Sequence, residues 1–206
     1  MVSGKDVVVR DYEIKALTSE TWDAFADLCA RHNGAGMGGC WCTWFHRETH
    51  SAPASGAVPR TADDSRDFKR RLVETGGTHA ALVFDGSTAV GWAQYGSPEE
   101  LPGIAHRKEY MAGVAVLPDY RITCFFVDRA SRRQGVAAAA LNGALTLIAA
   151  AGGGVVEAYP QDTPGRKVSA SFLYSATRSM FEQAGFAYQR PKGKNHCVMR
   201  KVIAPV

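Results

Sequence analysis

Apolar and polar residues alternate along this chain in two rhythms. One has the period of a half-buried helix, the other that of a strand. Near the start, residues 7–10 read as a short strand behind a flexible tip of residues 1–6. Leu17-Thr18-Ser19 offers a helix cap. Trp22, Phe25, Leu28 and Cys29 then share one helical face, and His32-Asn33-Gly34 ends that run. A second helix begins at Thr61-Ala62-Asp63-Asp64, a capping sequence. It carries an apolar stripe of Phe68, Leu72 and Val73 and stops at Gly76-Gly77. Arg66, Lys69, Arg70 and Arg71 read as its solvated face. Strands follow at 79–84 and 89–95, joined by the hairpin pair Asp85-Gly86.

Residues 98–111, rich in charge, predict a helical insertion. A turn at Pro118-Asp119 leads to a buried strand at 122–127. Asp128-Arg129-Ala130-Ser131 turns the chain into an alanine-rich helix at about 138–151, closed by three glycines at 152–154. A strand at 155–159 is limited by Pro160. After the polar loop 162–167, a helix at 177–184 ends at Gly185, and strands at 188–190 and 196–202 flank the turn Lys192-Gly193-Lys194. No internal repeat or linker divides the chain, so residues 7–203 read as one domain.

Composition narrows the class. The chain has 206 residues, 46% hydrophobic and 21% charged, as a soluble globular protein does. The net charge of +4 is mild, with no long basic run, which argues against nucleic acid as a partner. No apolar stretch reaches the roughly 20 residues of a membrane-crossing helix, so no membrane partner is expected. Five cysteines, an odd number with Cys124 in a core strand, argue against a disulfide framework and for a reduced, cytoplasmic setting.

The chemistry concentrates where the central strand hands over to the alanine-rich helix. Backbone N–H groups at a helix start have no intrahelical partner and lie at the positive end of its dipole. With Arg132 and Arg133 beside them, they make a phosphate site. Arg132-Arg133-Gln134-Gly135-Val136-Ala137 resembles the pyrophosphate loop of the GNAT superfamily of acyl-CoA-dependent N-acyltransferases. Phe181-Glu182-Gln183-Ala184-Gly185-Phe186 is similar to the family's second signature, and the element order agrees with both. The resemblance implies an α/β fold: a mixed sheet of about seven strands flanked by helices and splayed between strands 4 and 5. It implies acetyl-CoA as co-substrate, with Phe125, Phe126 and Val127 pairing their backbone with its pantetheine arm. Arg132, Arg133, Gln134, Gly135, Val136 and Ala137 would wrap the pyrophosphate.

The family's proton-donating tyrosine falls at Phe181, which has no proton to give. Tyr174 and Tyr159 are substitutes by residue type, and Glu157 is a candidate base. Cys40-Trp41-Cys42, with His46 and His50, invites zinc, but one residue between cysteines is unsuited to structural zinc spacing. No metal is therefore expected. Trp41, Trp44 and His46 read instead as a wall of the acceptor pocket, on a loop long enough to be functional. The expected activity is transfer of an acetyl group to an amine of a small molecule or peptide by direct attack in a ternary complex. The alternative is a catalytically weak acyl-CoA-binding sensor or scaffold. A homodimer remains open for either.

Overall fold

The computed structural model describes residues 11–35, 39–47, 61–162, 165 and 174–206. The strand expected at 7–10, the tip before it, Gly36, Gly38, His50 and the whole proline loop 51–59 lie outside these residues, as does most of the polar loop 162–167. The first described strand is β1, Glu13–Ala16, followed by α1, Trp22–Ala30, and α2, Ala62–Glu74. Next come β2, His79–Asp85, β3, Thr88–Gly96, α3, Arg107–Ala112, and β4, Tyr120–Val127. The chain closes with α4, Val136–Ala150, β5, Gly154–Ala158, α5, Arg178–Gln183, β6, Ala187–Lys192, and β7, His196–Ile203. The strands form one mixed seven-stranded sheet in the order β1-β2-β3-β4-β5-β7-β6. Among these described strands, β4 and β5 are the one parallel pair.

Both sheet faces are covered, which explains why the β2 run from Ala80 to Phe84 is apolar throughout. Ala81, Val83, Ala93, Tyr95, Ile122 and Phe125 pack against α4 and α5. Ala80, Leu82, Phe84 and Trp92 meet α1 and the segment around Trp41 on the opposite face. Helix α4 comes close because Gly143 lies against β1, where an added Cβ would stand 2.5 Å from Ile14 Cγ2. The expected capping box of α2 is present: Asp64 N–H donates to Thr61 Oγ1 and Thr61 N–H to Asp64 Oδ2, both at 3.0 Å. The cap of α1 lies later than expected. Thr21, not Thr18 or Ser19, precedes the helix, and its hydroxyl bonds Ala16 O and Thr18 N–H, tying the helix start to the end of β1.

Two irregularities of β4 shape the site. Gln94 pairs with Cys124 and Tyr95 with Ile122, so Thr123 is an extra residue in β4. Ile122 and Phe125 both face α4, while the Thr123 hydroxyl reaches Gln94 on the opposite face. Pairing of β4 with β5 runs only from Tyr120↔Val156 to Ile122↔Ala158. Beyond Ile122 the two strands part, as the resemblance implied, leaving the β5-facing edge of Thr123 to Val127 without a neighbouring strand among the described residues.

Candidate active site

The split between β4 and β5 leads to the loop at the start of α4. A short 3₁₀ turn at Arg129–Ser131 follows β4, and Asp128 Oδ1 accepts Ala130 N–H at 2.9 Å. Arg133 and Gly135 both adopt left-handed backbone, at φ 61° and 85°. Gly135 is the N-cap of α4, is exposed, and an added Cβ there would meet nothing within 4 Å. Arg132 and Arg133 are exposed, and among the described residues neither forms a salt bridge. The first N–H groups of a helix start thus face open space beside two cations, which fits a diphosphate in charge and donor type. Gln134 is held by its backbone oxygen, which accepts the Tyr12 hydroxyl at 3.0 Å. Val136 is buried under the sheet and Ala137 is partly so.

On the face away from α4, two buried polar knots flank the split. The first centres on His46. Its Nδ1–H donates to Glu100 O at 2.9 Å, which fixes the tautomer and leaves Nε2 as an acceptor. Nε2 accepts from Gln94 Nε2 at 2.7 Å, the Thr78 hydroxyl at 3.0 Å and Lys69 Nζ at 3.3 Å. Lys69 also donates to Thr78 Oγ1 at 2.7 Å. Gln94 Oε1 accepts the Cys42 thiol at 3.1 Å and the Thr123 hydroxyl at 3.2 Å. Burial and the neighbouring Lys69 hold His46 well below its ordinary pKa, so it stays neutral. His46 is therefore the shared acceptor of a structural network that ties the segment after Cys40 to α2, β3 and the β4 bulge.

Lys69 corrects the sequence reading. It is 0% exposed, not part of a solvated face, because α2 turns Ser65, Lys69 and Val73 inward. The fourfold spacing of those three residues was the available signal, masked by the charge of the middle one.

The second knot holds two of the candidate catalytic residues. Glu157 is 1% exposed. Its Oε1 accepts Arg200 Nε–H at 2.6 Å, and its Oε2 accepts the hydroxyls of Tyr110 at 2.6 Å and Tyr159 at 2.8 Å. The Arg121 and Arg190 guanidinium groups flank the Tyr110 ring at 5.5 and 5.3 Å. Burial pushes the Tyr159 hydroxyl well above its usual pKa. Both Glu157 oxygens are engaged within the protein, so the carboxylate acts here as the anchor of the knot. Sequence reasoning found Glu157 and Tyr159 but not Tyr110, Arg121 or Arg200, which lie far away in the chain.

Tyr174 stands apart from both knots. Its ring lies 6.1 Å from that of Phe45, and burial, with the Cys124 thiol nearby, raises its pKa, so it keeps its proton at neutral pH. Phe181 is fully buried edge-on to Phe125 and Phe186, in a pocket of rings. The three predicted wall residues also separate. Trp41 is 6% exposed and stacks on Trp22 at 6.3 Å, so it is part of the packing on α1. Trp44 is 36% exposed and lines an open groove with Ile104 to Glu109 and Ala112. His46 is in the first knot.

All five cysteines are free thiols. Among the described residues no group of three or more His, Cys, Asp or Glu is arranged to hold a metal ion, and no helix is long and apolar enough to cross a membrane.

No protein-family model and no curated protein matches the chain. Solved structures do. An N-acetyltransferase from Staphylococcus aureus Mu50 is 12% identical, with 94% of this chain and 99% of that one covered and a TM-score of 0.51. A GNAT-family protein from Desulfovibrio desulfuricans is 15% identical, with 94% and 100% covered and a TM-score of 0.50. A GNAT-family acetyltransferase from Streptococcus pneumoniae is 11% identical, with 94% and 100% covered and a TM-score of 0.50. At such identities the likeness establishes the fold. This chain has the GNAT fold, as the two motifs implied.

Proposed function

We propose that this GNAT-fold chain is an acetyl-CoA-dependent N-acetyltransferase acting on an amine of a small molecule or peptide. The observation that carries the reading is the parting of β4 from β5 after Ile122 and Ala158, next to the open loop at Gly135. An extended acyl-pantetheine arm needs a strand edge to pair with, and Thr123 to Val127 supply one. Its diphosphate needs N–H donors and cations, which residues 132–137 supply. The co-substrate contributes an activated thioester. A backbone N–H near Phe125 or Phe126 polarises its carbonyl as charge develops there. The acceptor amine enters from the face of the two knots, attacks the carbonyl carbon directly and loses a proton to water, while the carbon–sulfur bond breaks. Tyr174, protonated at neutral pH, donates to the departing thiolate. Glu157 and Tyr159 keep the end of β5 in place, and the His46 network does the same for the β4 bulge.

Thiol release from acetyl-CoA with a panel of amines tests this. We expect turnover with at least one amine, and loss of CoA binding by calorimetry in a folded Gly135→Trp variant. The new side chain would fill the loop, at a backbone cost of about 1–2 kcal/mol for leaving glycine in left-handed conformation. CoA binding without turnover on any amine would favour the sensor alternative, which Phe181 at the tyrosine position supports. Unchanged CoA affinity in the Gly135→Trp protein would refute the binding site itself.

A further inference from the structure

Cys29, Cys40, Cys42 and Cys124 gather around Lys69 beside the His46 network, on the sheet face away from α4. Gln94 marks the place. It pairs with Cys124 across β3 and β4, so the two side chains stand next to each other on that face. The same Gln94 side chain grips Cys42 twice. Its Nε2 donates to Cys42 O at 2.9 Å, and its Oε1 accepts the Cys42 thiol at 3.1 Å. The Cys124 thiol in turn hydrogen-bonds the Cys42 sulfur. Two thiols far apart in the chain thus meet at one point.

Cys42 is held there at a cost. Trp41 and Cys42 take consecutive left-handed conformations, at φ 46° and 57°, which residues with side chains keep only where their surroundings fix them. Trp41 is fixed by its stacking on Trp22, and Cys42 by Gln94. Lys69 is fully buried and, among the described residues, forms no salt bridge. A buried ammonium needs a counter-charge. The acidic groups that face it are the four thiols, Cys42 foremost. Burial opposes ionisation of Cys42, but the Cys124 hydrogen bond and the Lys69 charge outweigh it and bring the thiol down to about 7. The same hydrogen bond raises Cys124, and burial raises Cys29, so both keep their protons. Cys124 is the accessible member of the pair. It is partly exposed, whereas Cys42 is buried, and it stands on the stretch of β4 that has parted from β5.

We propose that Cys124 and Cys42 form a redox couple, oxidised to an intramolecular disulfide by small-molecule disulfides that arrive along the open β4 edge. Cys124 attacks one sulfur of the incoming disulfide and gives its proton to the Cys42 thiolate, while the other sulfur leaves as a thiolate. Cys42 then loses that proton to water and attacks Cys124 Sγ, and the second thiolate leaves. Both leaving thiolates take protons from water. The protein dithiol gives up two electrons, and one small disulfide becomes two thiols. The new bond takes the Cys42 sulfur from Gln94 Oε1, so oxidation also loosens the network at the β4 bulge. The couple stands without the transferase reading. A preference for CoA disulfide over glutathione disulfide rests on that reading, because the pantetheine arm would carry its terminal sulfur to this edge.

Reduced full-length protein treated with glutathione disulfide or CoA disulfide, quenched in acid, alkylated and read by peptide mass spectrometry tests this. We expect one cross-link, between Cys42 and Cys124, with Cys29, Cys40 and Cys197 alkylated. CoA disulfide should react at least about tenfold faster, as a bound reactant does. Cys42→Ser should stop at a mixed disulfide on Cys124, and Cys124→Ser should give neither adduct nor cross-link. The rate should rise through a midpoint at about 7 in the wild type and toward the ordinary ~8.5 in Lys69→Met. The two serine variants carry the test if the Lys69→Met protein fails to fold. A cross-link to any other cysteine, a Cys124 adduct that persists in the wild type, or no cross-link with either disulfide overturns the couple, whatever the acetylation assay shows. Equal rates with the two disulfides leave the couple standing and count against CoA at this edge.

Discussion

Replacing Glu157 by glutamine separates a structural carboxylate from a chemical one. In the wild type three donors converge on it: Arg200 at 2.6 Å, Tyr110 at 2.6 Å and Tyr159 at 2.8 Å. An amide offers one acceptor oxygen and one donor nitrogen. Whichever way it turns, its NH₂ faces either a guanidinium or two phenols, and a buried donor loses its partner. Breaking a buried charged pair on one side costs about 3–5 kcal/mol. The Arg200 side chain is 29% exposed and can recover water, which places the loss near the lower end, at about 3 kcal/mol. For a domain of this size, that lowers the melting temperature by roughly 6–12 °C. Tyr159→Phe removes one hydrogen bond at about 1 kcal/mol, or roughly 2–4 °C. Thermal unfolding followed by circular dichroism, beside thiol release across pH, is the assay. A Glu157→Gln protein with wild-type melting, reduced turnover and a shifted acidic limb would refute the argument, because it would make Glu157 a base facing substrate.

Tyr174→Phe is expected to lower kcat more than it changes KM for acetyl-CoA. The fall is bounded by the 10²–10⁴-fold typical of general acids, since a CoA thiolate with a pKa near ~8.5 already leaves well; wild-type turnover at every pH would assign the proton to water. Trp41→Ala should destabilise by about 3–5 kcal/mol as a truncated buried ring, whereas Trp44→Ala should raise KM for the acceptor with little change in melting; the reverse pattern would exchange their roles. Acidification should weaken the fold before the carboxylates titrate. His46 and His196 are both held below the unfolded value near ~6.5. Below that value the unfolded chain takes up protons that the folded one refuses, so their stabilisation is full above ~6.5 and declines toward the folded values, about 4 for His196. Each histidine contributes at most about 1.4 kcal/mol per pH unit. Equal urea midpoints at pH 7 and pH 5 would contradict this.

The sequence by itself determined most of the elements, though not β1, and the turn from strand to helix at 132–137. Local rules suffice where the deciding forces act within a few residues. Thr61 and Asp64 cap one another, Asp85-Gly86 turns a hairpin, and Gly135 takes its left-handed step into the helix without the steric cost a side chain would add. The motif at 132–137 is contiguous, so its residues stay together in any fold that contains them.

Tertiary structure decided the rest. Whether Lys69 faces water or Thr78 depends on what packs over α2, and composition placed it wrongly. Trp41 and Trp44 are three residues apart and chemically alike, yet one stacks on α1 and the other lines a groove. The bulge at Thr123 is set by pairing with β3, which no pattern within β4 reveals. Glu157 reads as a free carboxylate until Arg200, 43 residues on, and Tyr110, 47 residues back, close upon it. Burial and pairing are properties of surfaces brought together across the chain, and they decide which charged residue is chemical and which is structural.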